Sequence, residues 1–209
     1  GSGIFLIETY NYIEAYLTQW YANERNTIPN PLLVPFEVKK RIIQEVLVGF
    51  DINNQAVQLT KFSLILRILS YEGKERIEKV VPILPTLEKN IRCGNSLVSM
   101  SDFDLFNLSS EELFEINPMF DGLLNKKYDV VIGNPPYLSK EDIKQSTNSK
   151  EIAVYDEIYR STIKQYDKYL LFMEKSLNVV KDDGDIILLV PNKFINTEAG
   201  KGIRDILKS

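Results

Sequence analysis

Apolar residues recur at three- and four-residue spacing near the start of the chain: Phe5, Leu6, Tyr10, Ile13, Leu17 and then Trp20 or Tyr21. That spacing predicts an amphipathic helix with these side chains on its buried face. Prolines between Asn26 and Pro35 predict a loop, and Val38–Glu45 reads as a short helix. Val46-Leu47-Val48-Gly49-Phe50 then runs apolar and largely β-branched into Asp51, the pattern of a buried strand. Helical period returns over Gln55–Leu69, with Val57, Leu59, Phe62, Leu66 and Leu69 near one face. Pro82 and Pro85 punctuate a further loop, Ile91–Leu97 reads as a short strand, and Ser101–Lys127 as an irregular insert with a short helix.

Tyr128–Gly133 is a second buried-strand pattern, and it runs directly into Asn134-Pro135-Pro136-Tyr137. Residues 138–161 are polar and predict a mobile segment. Gln165–Lys181 predicts a helix with Tyr169, Leu170, Phe172, Met173, Leu177 and Val180 inward. Asp182-Asp183-Gly184 predicts a turn, Asp185–Val190 a third strand, and a last helix begins near Thr197 or Glu198. Strands separated by helices imply parallel pairing through right-handed crossovers, hence an α/β fold with a doubly wound, mostly parallel sheet. Ligands of such sheets collect outside the carboxyl ends of the strands. Here those ends carry Gly1-Ser2-Gly3, Asp51, Asn95, Asn134–Tyr137 and Pro191-Asn192-Lys193, which are expected to converge on one rim.

Composition narrows the chemistry. The 209 residues include one cysteine and no histidine. An internal disulfide, a zinc site of the usual Cys/His kind and any catalytic triad built on imidazole are therefore excluded within this chain. The net charge of -4 gives no global cationic field, so strong phosphate binding needs a local patch or another part of a larger protein. No apolar run is long enough to span a bilayer and no secretory signal opens the chain, which reads as cytoplasmic. A glycine turn that feeds a helix with no strand before it suggests a piece cut from within a domain.

Asn134-Pro135-Pro136-Tyr137 carries the sharpest chemical signal. Two prolines stiffen the loop, so the Asn134 amide oxygen and the Pro135 carbonyl are held where one planar amino group could donate to both. Tyr137 offers an aromatic face on which a base can stack. The competing reading is a rigid turn with Tyr137 in the core.

On these residues the chain resembles the gamma-class N6-adenine DNA methyltransferases of type II restriction–modification systems. The likeness extends over Gly1-Ser2-Gly3-Ile4-Phe5-Leu6, Gly49-Phe50-Asp51-Ile52, Cys93-Gly94-Asn95-Ser96-Leu97, Tyr169–Glu174 and Ile186–Phe194. It implies the Rossmann-like class I fold of enzymes dependent on S-adenosylmethionine, here partial over residues 1–209. It implies that Gly1 and Gly3 let the backbone approach the methionine part of the cofactor and that Asp51 grips the ribose. Ile52 would flank the cofactor adenine, Asn95 would read its edge and Leu97 would pack on its face. Asn134, Pro135, Pro136 and Tyr137 would receive an adenine flipped out of double-stranded DNA. Bland readings stand beside these: Asp51 as a helix N-cap, Asn95 as a turn residue, Leu171 and Phe172 as core, Lys193 as solvated. The resemblance also implies a target-recognition domain and an upstream cofactor motif, neither within this chain, and no metal. Type I modification subunits, protein-glutamine and RNA methyltransferases, and a non-catalytic scaffold remain open alternatives.

Overall fold

The computed structural model describes residues 3–73, 85–103, 109–119 and 121–208. Gly1, Ser2 and Pro82 lie outside the described residues. The chain divides into two compact units, Gly1–Gly94 and Asn95–Ser209.

In the first unit, α1 (Ile4–Glu24) starts at Gly3 and α3 (Asn54–Leu69) at Asn53, with α2 (Phe36–Arg41) between them running on into a π-turn at Ile42–Val46. The Asn53 side chain caps α3 by accepting the N–H groups of Gln55 and Ala56. The helix expected from the first apolar pattern is present, with Tyr10 in the core of the first unit and Leu6, Ile13 and Leu17 packed against it as expected, but its most buried line also takes in polar residues. Tyr10, Glu14, Thr18 and Ala22 are buried at four-residue spacing, whereas Phe5 and Trp20 are exposed. Apolar spacing alone misses this face because two of its members are polar, and Glu14 is buried only with its charge paired. Lys39 and Glu72 are both sealed from solvent, with Lys39 Nζ 2.7 Å from Glu72 and 3.4 Å from Glu14, while Arg67 lies 3.4 Å from Glu14. Tyr10 donates its hydroxyl to Glu14 over 3.1 Å.

Among the described residues every strand pair is parallel. Strands β1 (Gly49–Asp51) and β2 (Ile91–Cys93) pair in the first unit. In the second, β3 (Asn95–Ser99) pairs with β4 (Pro118–Met119), with the short helix α4 (Ser110–Ile116) between them in the chain, and β5 (Tyr128–Gly133) pairs with β6 (Val180–Leu188). These are three separate two-stranded pairs, so among the described residues the expected continuous doubly wound sheet is not formed. Two departures explain the difference. The apolar run ending at Asp51 gives only three residues of strand, because Ile42–Val46 continues the preceding helix as a π-turn. Ile91–Leu97 splits at Gly94, with Cys93 paired to Asp51 and Asn95 to Pro118.

Asp182-Asp183-Gly184 does not end an element as expected. It lies inside β6, where the register slips between Tyr128 and Val130. Nor are β5 and β6 buried on both faces: Val130, Ile132 and Ile187 are exposed, while helix α7 (Lys168–Val179) packs on both strands. Residues 138–161, expected as a polar segment without regular structure, are largely helical. They form α5 (Lys140–Ser146) and α6 (Ser149–Ile158), and Ile143, Val154 and Tyr155 are fully buried. Capping explains it: Ser139 and Asp142 form a reciprocal capping box, and Asn148 caps α6. A final short helix spans Lys201–Ile206.

Candidate active site

The tetrapeptide leaves β5 at Gly133 with Asn134 exposed, Pro135 buried and Tyr137 half-exposed at 51%. The single proton of the Tyr137 hydroxyl has two acceptors in reach, Asn134 Oδ1 at 2.9 Å and the Leu189 carbonyl at 2.9 Å. Leu189 in turn donates its N–H to the Gly133 carbonyl over 3.0 Å. The loop is thereby stitched to the chain just beyond β6. A donor on Asn134 Oδ1 fixes which way the amide points and leaves a carbonyl lone pair for a second donor.

Tyr169 meets the Tyr137 ring at right angles, with centroids 6.3 Å apart. Burial pushes the Tyr169 phenol up to about 12, with the Asp167 carboxylate adding to the rise and a hydrogen bond at the Phe194 backbone opposing it. Lys193 pairs with Asp167 at 2.8 Å. Leu171 belongs to the core of this unit and Phe172 packs against it. Glu174 accepts the backbone N–H groups of Arg160 and Ser161 at 3.0 and 2.8 Å.

Asn95 is buried, and both of its amide protons are taken by the protein. Nδ2 donates to Glu151 and to the Tyr155 hydroxyl, each over 3.0 Å, while Oδ1 accepts the Leu97 N–H over 3.1 Å. The Asn95 backbone N–H donates to the Asn117 carbonyl over 2.7 Å. Leu97 is fully buried, and its carbonyl accepts the Tyr159 hydroxyl. The structure thus brings Asn95 and Leu97 together with Glu151, Tyr155 and Tyr159, residues that the apolar pattern did not single out. Their spacing, one every four residues, is the signal that could have found them.

In the first unit, Gly3 has φ 72, and a Cβ there would lie 2.4 Å from Thr60 Oγ1 on α3. Only glycine suits this turn, for both its backbone conformation and its space. Asp51 ends β1 with its carboxylate accepting the Asn53 N–H at 2.8 Å. Asp51 is therefore not the cap of α3, which is Asn53. Ile52 beside it is exposed at 64%. A carboxylate at a strand end next to an exposed apolar side chain suits a ligand with hydroxyls and a flat base. Gly1 lies outside the described residues.

A family model described as the Eco57I restriction-modification methylase matches residues 45–209. The type II restriction enzyme and methyltransferase RM.Eco57I of Escherichia coli is 38% identical over 212 residues, which cover 99% of this chain and 20% of that protein. The chain belongs to the Eco57I restriction-modification methylase family. The type II methyltransferase M.HincII of Haemophilus influenzae is 29% identical over 132 residues, 58% of this chain and 26% of its own length. The adenine-specific methyltransferase PglX of Streptomyces coelicolor is 27% identical over 173 residues, 73% of this chain and 14% of its own. The chain thus spans about a fifth of the length of RM.Eco57I and about a quarter of that of M.HincII.

A methylase of this family transfers a methyl group, which needs a donor. Among the described residues no group of three or more His, Cys, Asp or Glu side chains could hold a metal ion, and no helix is long and apolar enough to cross a membrane.

Proposed function

We propose that this chain is the catalytic part of a site-specific DNA adenine-N6 methyltransferase of a restriction–modification system, using S-adenosylmethionine. The observation that carries the reading is the Asn134–Tyr137 loop, an exposed amide oriented by the hydroxyl of a half-exposed aromatic ring at the end of a strand. The fold proposed with it is the Rossmann-like doubly wound sheet, supported by the parallel sense of all three described strand pairs. The enzyme is read as cytoplasmic. Sequence recognition is assigned to a target-recognition domain outside residues 1–209.

The reacting nitrogen of adenine is a poor nucleophile because its lone pair is delocalised into the ring. Asn134 Oδ1 and the Pro135 carbonyl accept its two N–H groups and pull the nitrogen towards tetrahedral geometry, which localises the pair. Tyr137 stacks on the base and offsets part of the cost of flipping it from the duplex. S-adenosylmethionine supplies the methyl group on a positively charged sulfur. The resemblance assigns Gly1, Gly3, Asp51 and Ile52 to holding it, and Asn95 and Leu97 to bordering its adenine. Positioning supplies most of the rate, so a chain without histidine is no obstacle.

The test is transfer of radiolabelled methyl groups by the intact protein to mixed-sequence DNA, run beside a glutamine-bearing peptide. Label on DNA adenine, lost in Asn134→Ala with cofactor binding retained, is the expected result. Full activity in Asn134→Ala, or label on the peptide alone, sinks the reading.

A further inference from the structure

Glu151, Tyr155 and Tyr159 succeed one another at four-residue spacing along and just beyond α6, so they share one face, and that face meets the start of β3. Both amide protons of Asn95 go to this face, one to Glu151 and one to the Tyr155 hydroxyl. The Tyr155 hydroxyl passes its own proton on to Glu151. Leu97 is held at both ends of its peptide unit, by Asn95 at its N–H and by Tyr159 at its carbonyl.

Lys168 closes the set. Its ammonium lies 3.6 Å from Glu151 and 5.4 Å from the centre of the Tyr155 ring. Its backbone N–H donates over 2.8 Å to the carbonyl of Leu138, the residue after Tyr137. A path of polar contacts therefore runs from the catalytic loop through Lys168 and Glu151 to Asn95 and Leu97. Glu151 and Asn95 are both buried, so the charge and the amide are tolerated only with these partners in place. Such a network has one good arrangement and loses heavily in any other, which makes it suited to fixing a distance.

We infer that Glu151, Tyr155 and Lys168 are positioning residues that hold Asn95 and Leu97 at a set place relative to the Asn134–Tyr137 loop. Asn95 is then a pin for the strand, with both of its amide protons spent on the face of α6. The inference rests on the reading above that Asn95 and Leu97 border the adenine of the cofactor.

The test uses the intact protein with Glu151→Gln and Tyr155→Phe, the second removing one oxygen while keeping the ring in the core. Cofactor affinity is read by calorimetry with S-adenosylmethionine, and KM and kcat by methyl transfer. Both variants are expected to raise the dissociation constant and KM for S-adenosylmethionine about five- to tenfold, the worth of a buried hydrogen bond. At saturating cofactor, kcat is expected to change by less than about twofold. Glu174→Gln is the control: Glu174 is as buried, but it holds Arg160 and Ser161 instead of Asn95. It should lower thermal stability and leave KM unchanged. If Glu151→Gln does not fold, Tyr155→Phe decides. A KM shift no larger than that of the control, or a fall in kcat at constant KM, overturns the inference alone. A wild-type protein that binds no S-adenosylmethionine overturns the proposed function and this inference with it.

Discussion

The Tyr137 hydroxyl lies 2.9 Å from Asn134 Oδ1, in reach to donate to it, so the ring and the amide of one tetrapeptide are mechanically linked. An exposed asparagine would otherwise rotate freely about its terminal torsion. Tyr137→Phe keeps the ring and removes this restraint. It is expected to lower the rate of methyl transfer about tenfold, through a mis-set amide, with cofactor binding unchanged. Single-turnover kinetics on DNA checks this, and an unaltered rate would show that the amide needs no such support.

The turn before α1 yields a second expectation. Gly3→Ala places a Cβ 2.4 Å from Thr60 Oγ1, which cannot easily swing aside because it donates to the Ala56 carbonyl over 2.7 Å. The variant should lose about 1–3 kcal/mol of stability from clash and left-handed backbone together. Affinity for S-adenosylmethionine should weaken in parallel. Gly73→Ala, where a Cβ meets nothing within 4 Å, is the matched control and should leave both unchanged. Calorimetric melts of the two variants side by side provide the comparison.

Lys39 is sealed from solvent between Glu14 and Glu72. Lys39→Met removes a buried cation that pairs with both Glu14 and Glu72 and should cost about 3–5 kcal/mol. Trp20, the one tryptophan of the chain, lies on α1 and reports unfolding of this unit by fluorescence in urea. A midpoint equal to that of the parent would mean that the buried pairs contribute nothing net.

Alkaline pH should act on the second unit through Tyr169. Its phenol is raised from 10.0 to about 12, so the folded state holds the proton more tightly than the unfolded state. That contribution to stability is fully present below about pH 10 and is lost as pH rises through about 12. Tyr169→Phe should therefore flatten part of the decline in stability over that range, measured by urea unfolding at stepped pH. An identical decline in the variant would place the effect on other phenols, such as those of Tyr155 and Tyr159, which burial also raises.

Legibility varied with the kind of signal. Helices α1 and α3 follow from apolar period, although Leu59, Phe62 and Leu66 of the face expected for α3 are exposed while Thr60, Lys61, Leu64 and Ile68 are buried. Strand β5 with its tetrapeptide follows from a continuous apolar run ended by two prolines. Residues 138–161 were opaque because their buried members, Ile143, Val154 and Tyr155, are scattered singly among polar neighbours. Only capping residues, Ser139 and Asn148, marked the helices there, and caps are weak signals without an apolar stripe.

By itself the sequence determined helices α1 and α3, the parallel sense of the strands and the loop that presents Asn134 and Tyr137. Those follow from local period, from crossover geometry and from the stiffness of proline, all properties of residues near one another in the chain. The partners of the polar side chains were decided only in three dimensions. Glu14 finds Lys39, Asn95 finds Glu151, and Glu174 finds the backbone of Arg160 and Ser161. A buried charge or amide is stable only opposite its complement, and nothing in local spacing says which distant residue will stand there.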